Sequence, residues 1–224
     1  VAAKVAMADQ AYTQLKREIV QAKLRPGAML SDSELPDQYG MSRTPVREAI
    51  NTLRREGLVI VRPKRGTFVK PIDFSEIQDL YALRKMVEPE AAVLASERVS
   101  AEELEELVEL SALSMDDTAD KALLNERNAQ LHVRIAEVAG IPLLTNAVRS
   151  IHEEIERCLN LRKEIGRPEK AVNHGRLVDA IAGRDAEVIR TTALSGIERA
   201  RSHMMNVLTS HSGASSVSDI VAET

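Results

Sequence analysis

The sequence predicts a mainly helical protein in two parts, an N-terminal winged helix-turn-helix followed by an all-helical domain of six helices. Three observations predict it. Met41 to Gly57, MSRTPVREAINTLRREG, keeps Val46, Ala49, Ile50 and Leu53 at helical spacing on one face and Arg43, Arg47, Asn51 and Arg54 on the other. Two β-type runs, LVIV and TFVK, flank a cationic tip made of Arg62, Pro63, Lys64, Arg65 and Gly66. From Asp73 onward the apolar residues repeat with a helical period between recognisable caps and breakers.

Charge divides the chain at the same place. Val1 to Ile72 carries 13 Lys and Arg against 7 Asp and Glu, a net +6; the remaining 17 against 27 give −10, and the two sum to the whole-chain −4. A basic module suggests a polyanion partner, which an acidic module would repel. Aromatics make up only 2% with no Trp, so the stacking platforms of single-strand and RNA readers are missing and duplex DNA is the better polyanion. Cys158 is the lone cysteine; among Ile155, Leu159 and Leu161 it reads as an apolar packing residue. With no disulfide, no membrane-length apolar run and no signal h-region, the expectation is a cytoplasmic protein without a membrane or RNA partner.

Taken in order, Val1 to about Ala8 has no strong pattern and reads as a loose arm. Tyr12, Leu15, Ile19 and Val20 form the stripe of a first helix, which stops at Leu24-Arg25-Pro26-Gly27. Ser31 and Glu34 have capping-box spacing and predict a second helix over about 32–38, kept short or bent by Pro36. Gly40-Met41 turns the chain into the third helix, where Pro45 is tolerable in the first turn and Gly57 can end it. Ser42, Arg43 and Thr44 bring hydroxyls, a guanidinium and free backbone N–H groups to one helix end, as a phosphate and a major-groove base edge require. Lys64, Arg65 and Gly66 at the hairpin tip suit a phosphate backbone or minor groove.

LSDSELPDQYGMSRTPVREAINTLRREGLVIVRPKRGTFV resembles, over about 60 residues, the winged helix-turn-helix of the GntR family of bacterial transcription regulators. SRTPVREA, then L-x-x-EGL, then RGTFV carry the likeness. It implies that Ser42, Arg43, Thr44 and Arg47 approach the operator and that the wing near Arg65 and Gly66 touches the minor groove. Some members also use an Arg in the second helix, where this chain has Ser33, and commonly have Ala where it has Pro36.

Asp73 with Glu76 has the spacing of a cap for the second domain. Its helices are expected at about 74–97, 101–114, 119–139, 142–164, 169–183 and 186–209, with breaks at Ser100, Met115 to Asp117, Gly140 to Pro142, Gly166 to Pro168 and Gly183. Residues 210–224 read as a polar tail, so the expected boundaries are 1–72, 73–209 and 210–224. LYALRKMVEPEAAVLA, NAQLHVRIAEVAG and NHGRLVDAIAGRDAE resemble, in order and spacing, the FCD-type (FadR-like) effector domain, an antiparallel helical bundle. Six helices rather than seven is more like the VanR subgroup than the FadR subgroup.

Asn128 and His132 stand at i and i+4 on one helix face and His174 begins a later helix, so their convergence could hold a transition metal of zinc or nickel type, one per chain. The resemblance implies an Asp and three His at such a site, where this chain has Asn128 in place of the Asp and Gly196 in place of the last His. His203, two turns further, is no substitute. His132 and His174 read equally as satisfied polar residues lining a cavity. A small organic-acid effector could be held by Arg84, Arg134, Arg149 or Arg162, since guanidinium pairs with carboxylate in a fork; Arg84 could equally pair with Glu88 one turn on. A metal-dependent hydrolase with Glu137 as base lacks a full ligand set, a nucleophile motif and a phosphate loop, so no enzyme is expected. An architectural DNA-binding dimer without an effector is the remaining alternative. The expectation is a regulator, a repressor by family habit, that acts as a homodimer on a palindromic operator, with Arg43 reading a base and Arg47 shared between base and phosphate.

Overall fold

A computed structural model describes residues 2–116, 118–161 and 174–209, and the chain divides into two compact units, Val1–Asp73 and Phe74–Thr224. The expected tail, the candidate Arg162, the break at 166–168 and the first residues of the fifth expected segment lie outside the described residues.

In the N-terminal unit, α1 (Ala2–Val20), α2 (Glu34–Tyr39) and α3 (Arg43–Arg55) pack with a sheet of β1 (Met29–Leu30), β2 (Val59–Arg62) and β3 (Gly66–Val69). The core joins Ala11, Leu15 and Ile19 of α1 to Val46, Ala49, Ile50 and Leu53 of α3, with Leu58, Val59 and Val69 closing it from the sheet. Helix α1 runs back to Ala2, so the expected loose arm is helical. The stretch lacks an apolar stripe but is rich in alanine, the strongest helix former, and propensity decides where no pattern does. Helix α2 is short because Pro36 fits only its first turn, as the third residue, where its missing N–H leaves no bond unmade. Half of the expected capping box forms: Ser31 Oγ accepts the Glu34 N–H at 3.2 Å. Gly40, with φ 62°, closes α2 in the left-handed region and turns the chain towards α3.

The sheet order is β1-β3-β2, all antiparallel. The hairpin runs from Val59↔Val69 to Arg62↔Gly66. The third strand was not expected: β1 has two residues, pairing Met29 with Phe68 and Leu30 with Thr67, too few to show an alternating pattern. At the tip the Arg65 N–H bonds to Arg62 O at 3.0 Å. The turn's second central residue, Lys64, has φ 61°, a conformation that Gly or Asn usually takes.

The helical unit consists, among the described residues, of α4 (Phe74–Arg98), α5 (Ala101–Leu113), α6 (Lys121–Val138), α7 (Pro142–Asn160), α8 (Gly175–Gly183) and α9 (Ala186–Thr209). Ser100 and Glu103 form a full capping box on α5, each accepting the other's backbone N–H at 3.1 Å. Asp120 caps α6 through the Leu123 N–H, and Pro142 opens α7. Ala92 and Ala95 of α4, Leu107 of α5, Leu131 and Ile135 of α6, Val178 and Ile181 of α8 and Ile189 of α9 make the main core. Cys158 is buried, and burial pushes its thiol up to about 12, as suits a packing residue. No helix among the described residues is long and apolar enough to cross a membrane.

Candidate functional site

Helix α3 is strongly two-faced. Pro45, Val46, Ala49, Ile50 and Leu53 are buried, which turns Arg43, Thr44, Arg47, Asn51 and Arg54 outward. Ser42 is an extended N-cap whose hydroxyl caps nothing in the helix, so the first turn keeps its N–H groups open. The side chains of Arg43, Arg47 and Arg54 have no hydrogen bond or ion pair among the described residues. On the hairpin, Arg62 lies 5.2 Å over the Phe68 ring, while Lys64, Arg65 and Gly66 are exposed and the two cations are unpaired among the described residues. Ser33 is exposed and bonded to Ser31 at 3.0 Å. Fixed, unneutralised cations beside free N–H groups form a surface suited to phosphate and base edges.

The helical unit holds a cavity of about 600 Å³. Its walls take Tyr81, Arg84 and Glu88 from α4, Lys121, Asn125, Asn128 and His132 from α6, and Gly196, Arg199 and His203 from α9. Ser114 and His174 complete its polar part, and Ile135, Val148, Ile155, Leu177 and Ile197 supply apolar wall. The expected Arg84, Asn128, His132 and His174 are thus brought together. Arg134 and Arg149 are not. Arg134 reaches Glu106 at 2.8 Å and Glu103 at 3.2 Å, and Arg149 reaches Glu137 at 2.9 Å. Both are surface cations, satisfied by acids of α5 and α6, and their place among the effector residues is corrected. Glu137, engaged there, is no base for the cavity.

Arg84 and Glu88 form a buried fork, Nε to Oε1 at 2.6 Å and Nη2 to Oε2 at 3.1 Å. Glu88 also meets His132 Nδ1 at 3.1 Å and His152 Nε2 at 2.9 Å. The His132 and His152 rings stack with centroids 4.3 Å apart, and His174 meets His132 edge-on at 5.3 Å. Burial by itself would raise the Glu88 carboxyl; Arg84, then His152 and His132, outweigh it and hold the group well below the usual carboxylate range. Burial pushes both His152 and His174 down to about 3, so both are neutral. Glu88 and His152 were missing from the expected set. Glu88 was read only as a partner for Arg84, and the signal for His152 was a histidine set among Val148, Ile151 and Ile155 on the buried face of α7.

Glu88, His132 and His152 offer one ligand atom each within 4.8 Å of one another. They do not fit a divalent metal as they stand. Both Glu88 oxygens are taken by the Arg84 fork, and an ion on that carboxylate would sit beside a buried guanidinium. Of the two expected histidines, His132 belongs to this trio; the neighbouring imidazole is His152 on α7, and His174 meets His132 edge-on from the start of α8.

Comparison with known proteins sets these two sites in a family. The profile of bacterial regulatory proteins of the gntR family matches residues 7–69, and that of the FCD domain matches residues 79–199. An HTH-type transcriptional regulator in an unstable DNA locus of Streptomyces ambofaciens, itself uncharacterised, is 30% identical over 203 residues, covering 86% of this chain and 85% of that one. The chain belongs to the GntR family, with an FCD domain. This GntR regulator is also similar to the galactonate operon transcriptional repressor of Escherichia coli, 24% identical over 212 residues that cover 84% of this chain and 93% of the relative. The structure of E. coli McbR/YncC superposes with a TM-score of 0.80 at 23% identity, covering 91% of this chain and 99% of that one, and shows the shared fold. These relatives are transcription regulators and not enzymes.

Proposed function

We propose that this GntR-family regulator is a cytoplasmic homodimeric repressor whose hold on a palindromic operator changes when a small organic acid binds in the FCD cavity. Residues 1–72 act as the reading head and 73–209 as the effector-binding and dimerisation part, with 210–224 as a tail. Ser42, Arg43, Thr44 and Arg47 approach the major groove, and Lys64, Arg65 and Gly66 lie along the backbone or minor groove. The observation that carries the regulatory half is the cavity of about 600 Å³, a volume typical of small-molecule sites, with buried polar groups gathered against apolar walls. The relative named for a galactonate operon supports an acid as the effector class. Six helical segments among the described residues support a place near the VanR subgroup. Effector and operator are then linked: each changes the affinity for the other by the same factor.

The test is fluorescence anisotropy on a duplex selected from random sequence, with and without organic acids. A change in operator affinity with at least one acid is expected; affinity unmoved by every acid would leave the architectural dimer as the better reading. The metal-loaded alternative, a zinc- or nickel-type ion on Asn128, His132 and His174, is settled by elemental analysis of the purified protein, where about one ion per chain would restore it.

A further inference from the structure

Helix α1 packs against α3 on the face opposite Arg43 and Arg47, and the core between the two helices is aliphatic, Leu15 and Ile19 against Val46, Ala49, Ile50 and Leu53. Apolar contact is non-directional, whereas a hydrogen bond to a base edge is not. Arg43 and Glu56 stand at opposite ends of α3, about 20 Å apart. A pivot of about 3° at the Glu56 end therefore moves the Arg43 backbone by about 1 Å, enough to break a bond of about 2.9 Å. Reading bases from α3 calls for something more directional than its core.

Two polar clamps tie α2 and α3 to α1. At the C-terminal end of α3, Tyr12 donates its O–H to Glu56 Oε1 at 2.8 Å and Lys16 Nζ donates to Glu56 Oε2 at 2.9 Å. Lys16 Nζ also donates to the Tyr12 oxygen at 2.9 Å, which closes a triangle. At the other end, just before Gly40 turns the chain towards α3, Tyr39 donates its O–H to Glu18 Oε2 at 2.6 Å, and Gln14 Nε2 holds Glu18 Oε1 at 3.3 Å. Neither stability nor charge accounts well for Glu56. Its pair with Lys16 is partly open to water, the side chains 33% and 19% exposed, where an ion pair adds little. A carboxylate also weakens the positive field of a module whose net charge is +6.

We infer that Glu56 and Glu18, through Tyr12, Lys16 and Tyr39, are positioning residues for operator reading: they set the angle at which α3 presents Arg43 and Arg47, without touching DNA themselves. The inference rests on the reading of α3 as the major-groove helix and names what aims it. Its consequence is a split by DNA sequence. Attraction between long cationic side chains and phosphates is independent of sequence and tolerates a small misalignment, while base-edge hydrogen bonds do not. A mis-aimed α3 keeps its hold on random duplex and loses the operator.

Fluorescence anisotropy on the full chain tests this, with a duplex selected by the wild-type protein and a random duplex of equal length at one salt concentration, and with circular dichroism as the check on folding. Tyr12→Phe and Tyr39→Phe each remove one hydroxyl and no charge. Each should weaken operator binding about threefold or more and leave random duplex within about twofold, and the two together should cost about tenfold on the operator. Glu56→Ala separates aiming from electrostatics by sign. Loss of a negative charge alone would tighten binding to both duplexes; loss of aim should weaken the operator about tenfold while random duplex is unchanged or tighter. Equal fractional losses on both duplexes would mean only that fewer molecules are folded, and would overturn the inference. Discrimination like that of the wild type in all three variants, or a tighter operator complex with Glu56→Ala, would overturn it too and leave the reading of α3 intact. A wild-type protein that preferred no sequence, or an Arg43→Ala variant that lost equally on both duplexes, would remove that reading and the inference with it.

Discussion

The reading surface and the cavity floor use the same residue types in opposite ways. On α3 and the hairpin tip, Arg43, Arg47, Lys64 and Arg65 are exposed and unpaired among the described residues, a fixed positive field waiting for an external anion. In the helical unit, Arg84 is 4% exposed and Glu88 6%, and the fork between them spends the charge internally. An uncommitted surface charge adds little to stability and is available for binding; a committed buried charge cannot be removed without unbalancing its partner. Substitutions should therefore separate cleanly, with stability responding at the floor and DNA affinity at the surface.

The largest effect is expected at the floor. Arg84→Ala strands an ionised carboxylate in the interior and should cost the helical unit about 3 to 5 kcal/mol, measured by urea unfolding, with no direct contact to DNA lost. Replacing both partners, as in Arg84→Met with Glu88→Leu, should recover much of that loss. A mild cost for Arg84→Ala alone would mean the fork is open to water.

Acid should act on the same unit next. Native His152 and His174, held near 3 by burial, stay neutral where the unfolded chain takes up protons at about 6.5, so stability falls as pH drops below 6.5. Glu156 opposes this: burial, with Glu126 adding to it, raises its carboxyl to about 7, so its cost eases as pH falls from 7 towards the ordinary 4.5. His203, lowered by burial as well, acts in the same direction as the other two histidines, so the histidines outweigh the one glutamate and stability falls between about 6.5 and 4.5, on the order of 1 kcal/mol per pH unit. The N-terminal unit has no histidine and should change less over that window. Thermal unfolding followed between pH 7 and pH 5 checks the difference, and parallel loss in both units would break the contrast.

At the reading surface, Arg43→Ala should cost about 1 to 3 kcal/mol on the selected operator and relax preference at one base pair, while the melting temperature barely moves. Equal losses on operator and random duplex would make Arg43 a phosphate contact instead. Arg134→Ala and Arg149→Ala mark the lower bound: partly exposed and paired outside the cavity, they should shift stability by no more than about 0.5 kcal/mol and leave acid binding unchanged.

The two sites were unequally legible, and the reason is physical. The amphipathic α3 carries both its core face and its reading face within 13 residues, so a local period revealed it. The floor is assembled from α4, α6, α7 and the start of α8, and no spacing along the chain states that Glu88, His132 and His152 meet. His152 offered only a polar residue on an apolar stripe, which is also how an ordinary satisfied histidine looks. Strand β1 was invisible for a different reason: Met29 and Leu30 are strand only because β3 offers them an edge. Ala2 to Ala8 were misread because a helix held by alanine propensity needs no stripe.

Lys64 sharpens the contrast at the smallest scale, since it combines both currencies in one residue. Its φ of 61° costs a non-glycine residue about 1 kcal/mol, yet it sits where a cation can follow a phosphate backbone. Lys64→Ala removes the charge and keeps the strained backbone, so it should weaken binding about evenly on operator and random duplex with little change in stability. Lys64→Gly removes both, and should match that loss of affinity while stabilising the N-terminal unit by up to about 1 kcal/mol, less the added chain entropy of glycine. If the two variants bound DNA equally but also melted together, the turn would not be strained. If Gly restored affinity that Ala had lost, the wing would act through its backbone shape and not through the ammonium group.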